Sequence, residues 1–212
     1  MSVDAKFLVQ LIVALREAVA AEQQVLNTLD AALGDGDHGT GLNAGFAAAA
    51  ARVRALQNPT PTEVFRATAL ALMNAMGGSS GALYGTFFLK AGGALEGKFS
   101  LSGEDWAAAL QAGLTGVMER GQAQPGGKTL VDALHPAVAA FVRSVGAGQP
   151  VSYAFQAATR AADAGAQATA EMVARFGRAR FVGDRALGHV DAGAASMALV
   201  LRTMSACCGG HR

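Results

Sequence analysis

Apolar residues recur along this chain at intervals of three and four, and no segment shows the clear alternation of a half-buried strand. Phe7, Leu8, Leu11, Ile12, Leu15 and Val19 set the pattern, which continues through Val25, Leu26 and Leu29. That spacing puts the apolar side chains on one face of a helix. The first helix stops at the glycine-rich run Leu33 to Gly41, and a second extends to about Leu56, where Asn58-Pro59 ends it. Thr60-Pro61-Thr62-Glu63 opens a third helix with a capping box and a proline at its first position. That helix reaches Met76, and a fourth runs from near Gly81 to Ala94. Ser102-Gly103-Glu104-Asp105 caps a fifth, which turns Trp106, Leu110, Leu114 and Val117 inward. A sixth runs from about Thr129 to Val145 with Pro136 kinking it, a seventh from Tyr153 to Phe176 and an eighth from Gly193 to Ser205. The expectation is an all-α chain of about eight helices, a single domain over residues 1–212 without internal repeat or linker.

Composition narrows what such a bundle does. Hydrophobic residues make up 51% and charged residues 16%, which excludes a disordered chain. Seventeen Lys and Arg against 16 Asp and Glu provide no general field for nucleic acid or an anionic membrane, so any charge-based function is local. Cys207 and Cys208 are adjacent and offer no zinc spacing; they and His211 lie in a tail to which no function is assigned. Asp4, Lys6, Arg16 and Glu17 interrupt the N-terminal apolar stretch, which therefore does not read as a signal peptide. Ala67 to Leu89 is charge-free and long enough to span a bilayer, but Met76-Gly77-Gly78-Ser79-Ser80-Gly81 breaks its centre. It reads as two buried helices joined by a polar turn, with Met73, Met76, Phe87 and Phe88 in the core. A cytoplasmic protein without membrane or nucleic-acid partners is expected.

Glycines gather in four groups at helix junctions: Gly34 to Gly41, Gly77 to Gly81, Gly121 to Lys128, and Gly183 to Gly193. Each precedes a helix, whose first N–H groups and positive dipole end suit a phosphate that glycine lets approach the backbone. One such junction would only end a helix. Several together, two of them carrying Asp and His, point to a polyphosphate ligand.

Asp30, Asp35 and Asp37 are the sharpest feature of the first group. Three carboxylates in one turn repel unless a cation neutralises them, and an all-oxygen donor set suits magnesium held together with phosphates and water. The competing reading is a solvated acidic turn capping the second helix. An EF-hand does not fit, because Gly39 and Phe46 stand where calcium ligands are required. The segment Gly121 to Thr129 fails as a Walker A loop, since Gln122 occupies the first glycine position and a helix precedes it. Lys128 either reaches a phosphate as a point charge or is solvated at a helix start. Arg178, Arg180 and Arg185 suit phosphate clamping or a plain surface loop; Asp191 is best explained as the cap of the last helix. Ser79 and Ser80 serve as caps or as hydroxyl donors.

Leu29-Asp30-Ala31-Ala32-Leu33-Gly34-Asp35-Gly36-Asp37-His38-Gly39-Thr40 closely resembles the metal-nucleotide loop of the dihydroxyacetone kinase L subunit. Met76 to Thr86 resembles that family's second loop, and Lys128-Thr129-Leu130-Val131-Asp132-Ala133-Leu134 and Gly177 to Gly193 supply two more in the family's order. The resemblance covers nearly the whole chain. It implies an antiparallel barrel of eight helices with the nucleotide at one end. Asp30, Asp35 and Asp37 would hold two magnesium ions on the phosphates of ADP or ATP, making them the catalytic and metal residues. His38, Gly39, Thr40, Gly41, Ser79 and Ser80 would contact the phosphates. Gly121, Leu130, Arg178, Asp191, Ala192 and Gly193 would line the nucleotide. Three positions depart from the family's pattern: Gly127 replaces an acidic residue, Gly41 a polar one and Ala192 a proline.

The activity implied is phosphotransfer to dihydroxyacetone held on a separate K subunit, which supplies a substrate histidine this chain does not. Free L subunits of this kind resemble the phosphotransferase-system type, in which bound ADP is recharged by a phosphohistidine subunit. Runners-up are an L subunit using free ATP, for dihydroxyacetone or another ketose, and a regulatory nucleotide-binding module that contacts a transcription regulator. His38 as a phosphocarrier is the weakest alternative, and a homodimer is an allowed assembly.

Overall fold

The computed structural model describes residues 3–209, apart from the side chain of Arg178, so His211 lies outside the described residues. Eight α-helices carry the described fold: α1 (Ala5–Ala31), α2 (His38–Arg54), α3 (Pro61–Ala75), α4 (Gly78–Gly93), α5 (Gly103–Gly121), α6 (Leu130–Gly146), α7 (Val151–Ala168) and α8 (Ala192–Gly209). One small departure from all-helix is a two-residue antiparallel pairing of β1 (Val3–Asp4) with β2 (Ser100–Leu101), which the sequence is too short to announce. Three single 3-10 turns, Thr169–Glu171, Arg178–Phe181 and Gly183–Ala186, lie between α7 and α8.

Each helix packs on its neighbour in sequence, and α8 packs back on α1, so the eight close into a ring. Packed neighbours in sequence run antiparallel, joined by short connections except for the long 169–191 segment between α7 and α8. This alternation positions the site. The junctions α1–α2, α3–α4, α5–α6 and α7–α8 emerge at one end of the ring, and they are the four glycine-rich groups of the sequence.

Inside the ring, a chain of aromatic rings, edge-to-face except for the tilted Phe65–Trp106 contact, runs from Phe46 on α2 to Phe155 on α7 and Phe141 on α6. Phe46 meets Phe88 at 6.1 Å between centroids, Phe88 meets Phe65 at 5.5 Å, Phe65 meets Trp106 at 6.2 Å, Trp106 meets Phe155 at 5.2 Å and Phe155 meets Phe141 at 4.7 Å. These rings are buried, and such contacts add about 0.5–1.5 kcal/mol per pair beyond area burial. The most extensively packed helix pair is α6 with α7. Pro136, inside α6, removes the N–H that would bond the Asp132 carbonyl. A Cβ on Gly165 of α7 would lie 2.1 Å from that carbonyl oxygen, so only glycine lets the two backbones meet there.

Helix starts follow the local caps where such caps exist. Thr60 with Glu63, Ser102 with Asp105 and Thr129 with Asp132 each form a complete capping box. Elsewhere boundaries shift from the sequence expectation. α2 begins at His38 within the glycine run, α4 begins at Gly78 rather than near Gly81, and α7 ends at Ala168 rather than Phe176. The charge-free stretch 67–89 divides into α3 and α4 as expected. Among the described residues one helix, α8, is long and apolar enough to cross a membrane; half of it is buried against other helices here.

Candidate functional site

Asp30 organises the α1–α2 junction. Its Oδ2 accepts hydrogen bonds from the backbone N–H groups of Gly36 at 2.9 Å, Asp37 at 3.0 Å and His38 at 3.3 Å. The carboxylate therefore caps α2 from a distance, while Asp37, at the cap position itself, makes no side-chain cap. A Cβ at Gly34 would stand 2.7 Å from Asp30 Oδ1, so any larger residue there would push the carboxylate out of place. The turn brings one carboxylate oxygen from each of Asp30, Asp35 and Asp37 within 4.8 Å of the others. Three anions so close repel strongly unless a cation lies among them, and their hard oxygen donors match magnesium.

His38 begins α2 with its ring turned inward. Nε2 lies 2.8 Å from Ser196 Oγ, which also lies 2.7 Å from the buried Tyr84 hydroxyl and donates to the Gly193 carbonyl at 3.0 Å. The single Ser196 proton is used on Gly193, so both Tyr84 and His38 Nε2–H donate to Ser196 Oγ. That assignment leaves Nδ1 unprotonated, 3.5 Å from Ser80 Oγ. Burial holds the His38 pKa below its ordinary value, against the opposing pull of Asp30 and Asp37. The ring is thus a neutral, fixed wall of the site, and it ties α2 to α4 and α8.

These groups line a groove of about 1040 Å³ at the glycine-rich end of the ring. Asp30, Asp35, Asp37, His38 and Gly41 form one side. Ser79 and Ser80, in the first turn of α4 and not before it as expected, form another; Gly77 caps that helix without a side chain. Gly121 and Leu130 stand at the α5–α6 junction, and Asp191, Ala192 and Gly193 at the start of α8.

Two of the residues singled out in the sequence face elsewhere. A Cβ on Gly39 would lie 2.2 Å from the Gln23 carbonyl oxygen, so this glycine lets α2 lie on α1. Thr40 Oγ1 accepts from Asn27 Nδ2 at 3.0 Å and Gln23 Nε2 at 3.3 Å, and its N–H donates to Asn27 Oδ1. Both sit on the α1 side of the loop and are absent from the groove lining.

Lys128 fits neither sequence reading. It is 1% exposed, and Nζ donates to three backbone carbonyls, those of Thr169, Ala186 and His189. No proton remains for a phosphate. The arginines also redistribute. Arg180 lines the groove with its guanidinium 4.6 Å from the Phe181 ring centre, whereas Arg185 is exposed and lies off it. Arg120, Arg175 and Phe176 line the groove although the sequence reading passed over them; their nearness to Gly121 and Gly177 was the available signal. The departure at Gly127 has a local reason, because a Cβ there would lie 2.8 Å from the Phe176 ring. At Gly41 a Cβ would meet nothing within 4 Å, so that departure only widens the groove.

Asp191 caps α8 as expected, Oδ1 accepting from Ala194 N–H at 2.7 Å. Burial pushes its pKa from 3.8 up to about 7; the Ala194 N–H and Lys128 oppose the rise, while Asp132 and Asp30 add to it. The folded protein thus holds this proton where the unfolded chain has lost it. The stabilising contribution is complete below the ordinary value and is lost as pH rises toward about 7. Asp191→Asn keeps the cap acceptor and removes the titration. We expect it to flatten the pH dependence of urea unfolding of the ligand-free protein across this interval and to stabilise it at about pH 8. Equal slopes for the two proteins would contradict the assignment. Cys207 and Cys208, near the far end of α8, are held as thiols by burial, Cys208 pushed up to about 12.

Residues 32–206 match the family described as the DAK2 domain. The chain is 35% identical over 186 residues to the ADP-binding subunit DhaL of the PEP-dependent dihydroxyacetone kinase of Escherichia coli K12, covering 88% of this chain and 89% of that one. It is 37% identical over 196 residues to the L-erythrulose kinase of Pectobacterium atrosepticum, covering 91% of this chain and 33% of the relative. In structure it resembles the crystallised dihydroxyacetone kinase of C. freundii in complex with AMP-PNP and Mg2+, with a TM-score of 0.74 and 30% identity, over 93% of this chain and 33% of that one. It therefore spans about a third of the length of those two larger kinases. With an eight-helix ring, an acidic loop and a family match spanning most of its length, the chain belongs to the DAK2-domain family.

Proposed function

We propose that this chain is the nucleotide-carrying subunit of a dihydroxyacetone kinase. It holds ADP or ATP with magnesium in the groove and passes the terminal phosphoryl group to dihydroxyacetone bound on a separate K subunit. A phosphohistidine subunit then returns the bound ADP to ATP. The observation that carries the reading is the set of three carboxylates, within 4.8 Å of one another, at the edge of a groove large enough for a nucleotide. The E. coli relative, matched over 89% of its length, bears the name of an ADP-binding subunit of a PEP-dependent kinase, which favours the relay over free ATP.

The residues divide the work. Asp30, Asp35 and Asp37 supply the oxygens for the metal, two ions in the fullest form of the proposal. Bound magnesium would neutralise the phosphates and align the transferred group, which is what phosphoryl transfer chiefly needs. Ser79 and Ser80 offer hydroxyls and the first N–H groups of α4 to phosphate oxygens, and Gly77 keeps that approach open. His38 holds Nδ1 toward Ser80. Leu83, Ala123, Leu130 and Phe176 give the apolar wall suited to a base, beside Gly121, and Asp191, Ala192 and Gly193 close the floor. Arg178, in the connection between α7 and α8, is assigned to the nucleotide on the family resemblance.

The test is one assay with K subunit and dihydroxyacetone, comparing ATP alone with a phosphoenolpyruvate-fed phosphohistidine relay. Turnover should need the relay, and millimolar ATP should substitute poorly because bound ADP is displaced slowly. Rapid multiple turnover on ATP alone would replace this reading by an ATP-dependent subunit. The match to an erythrulose kinase makes L-erythrulose the second substrate to try in the same assay.

A further inference from the structure

Lys128 borders the groove, but its ammonium turns to backbone carbonyls instead of a phosphate, and it joins the pieces that the nucleotide reading needs to keep together. Its Nζ donates to the carbonyls of Thr169 at 2.6 Å, Ala186 at 2.9 Å and His189 at 2.6 Å. Those three belong to the beginning and the later part of the 169–191 connection between α7 and α8. Three acceptors match the three protons of an ammonium, whereas a neutral amine would set a lone pair against one carbonyl. The backbone at Lys128 is left-handed, with φ of 59°, a conformation that side-chain-bearing residues seldom adopt. The side chain is thereby aimed inward, away from solvent.

Among the described residues the connection has few other ties. Its apolar anchors are a small cluster of Leu33, Ala174 and Ala186, separate from the main core, and the half-buried Phe176, which packs against that core. The remaining ties are hydrogen bonds from Arg175 N–H to the Gly127 carbonyl, Gly188 N–H to the Ala170 carbonyl and Asp191 N–H to Thr169 Oγ1. All three lie close to the carbonyls that Lys128 gathers. The same connection carries Arg175, Phe176, Ala179 and Arg180 into the groove wall.

We propose that Lys128 is a positioning residue: its ammonium clasps the 169–191 connection in the form that walls the groove, so that the site is built before a nucleotide arrives and releases it slowly. The proposal rests on the nucleotide reading of the groove for its consequence, though not for the clasp itself. Removing the ammonium lets the connection leave its closed form, and affinity falls in proportion to the closed fraction.

Hydrogen–deuterium exchange on the ligand-free protein tests the clasp directly. The amides of Arg175, Gly188 and Asp191 should be protected in the unaltered chain and lose protection in Lys128→Met, while the amides of α1 and α6 keep theirs. Magnesium-ADP should bind Lys128→Met about tenfold more weakly, through faster release. Propylammonium, which replaces the missing group, should restore both properties to Lys128→Ala, and propanol should not. Free exchange at the three amides in the unaltered chain would overturn the proposal without any variant. So would equal nucleotide affinity of Lys128→Met, or equal rescue by propanol. If the unaltered chain binds no magnesium-ADP, the nucleotide reading falls, and the exchange result still decides the clasp.

Discussion

We expect Asp35→Asn and Asp37→Asn each to abolish phosphoryl transfer with the K partner while the helical circular dichroism and the ligand-free melting temperature stay near those of the unaltered chain. Both residues are exposed in the α1–α2 turn, and Asp37 does not cap α2 through its side chain. Their carboxylates converge with that of Asp30 within 4.8 Å, and a magnesium site that loses one charged oxygen donor to an amide loses both charge and geometry. Asp30→Asn behaves differently. Oδ2 of Asp30 receives the backbone N–H groups of Gly36, Asp37 and His38. An amide that turns its oxygen to those donors presents its NH2 to the metal position, and the reverse orientation opposes three N–H groups with two more donors. We therefore expect Asp30→Asn to lose activity and also about 1–3 kcal/mol of stability, seen in urea unfolding. Near-full activity in any of the three would remove the metal assignment.

The second large effect is on stability. A ligand bound only by the folded chain adds RT ln(1 + [L]/Kd), about 2.7 kcal/mol at a hundredfold excess over Kd. For a chain of this size each kcal/mol moves the melting temperature by about 2–4 °C, so stripping magnesium and ADP lowers it by roughly 5–11 °C. Protection should fall first in the 169–191 connection, whose apolar anchoring is slight, and last in helices built on the aromatic chain. Scanning calorimetry before and after verified nucleotide removal checks this. An unchanged curve would mean that the groove holds no nucleotide tightly.

Much of the architecture was legible because the signals were local. The capping boxes at Thr60, Ser102 and Thr129 lie within three residues of the groups they satisfy, and the helices they open start where the sequence places them. The four glycine groups also carried more than their separate meanings. In an antiparallel ring alternate junctions share one end, so four glycine-rich junctions at alternate positions make one site. What the sequence hid depends on distant partners. α2 starts early because its cap comes from Asp30, and the chain leaves α7 at Ala168 where the Thr169 carbonyl is taken by Lys128, 41 residues earlier. Gly39 and Thr40 are indistinguishable in sequence from phosphate contacts, since only the position of Gln23 and Asn27 on α1 turns them away from the groove. The role of Lys128 likewise follows from three carbonyls that no local pattern could foretell.

The central claim, that the three carboxylates bind nucleotide phosphates through magnesium, is tested most directly by isothermal titration of ADP into nucleotide-stripped protein, with magnesium and again with chelator. We expect one ADP per chain with magnesium, and a loss of at least about a hundredfold in affinity, some 2.7 kcal/mol, with chelator or in Asp37→Asn. ADP binding of equal affinity with and without magnesium, unaffected by Asp37→Asn, would contradict the account.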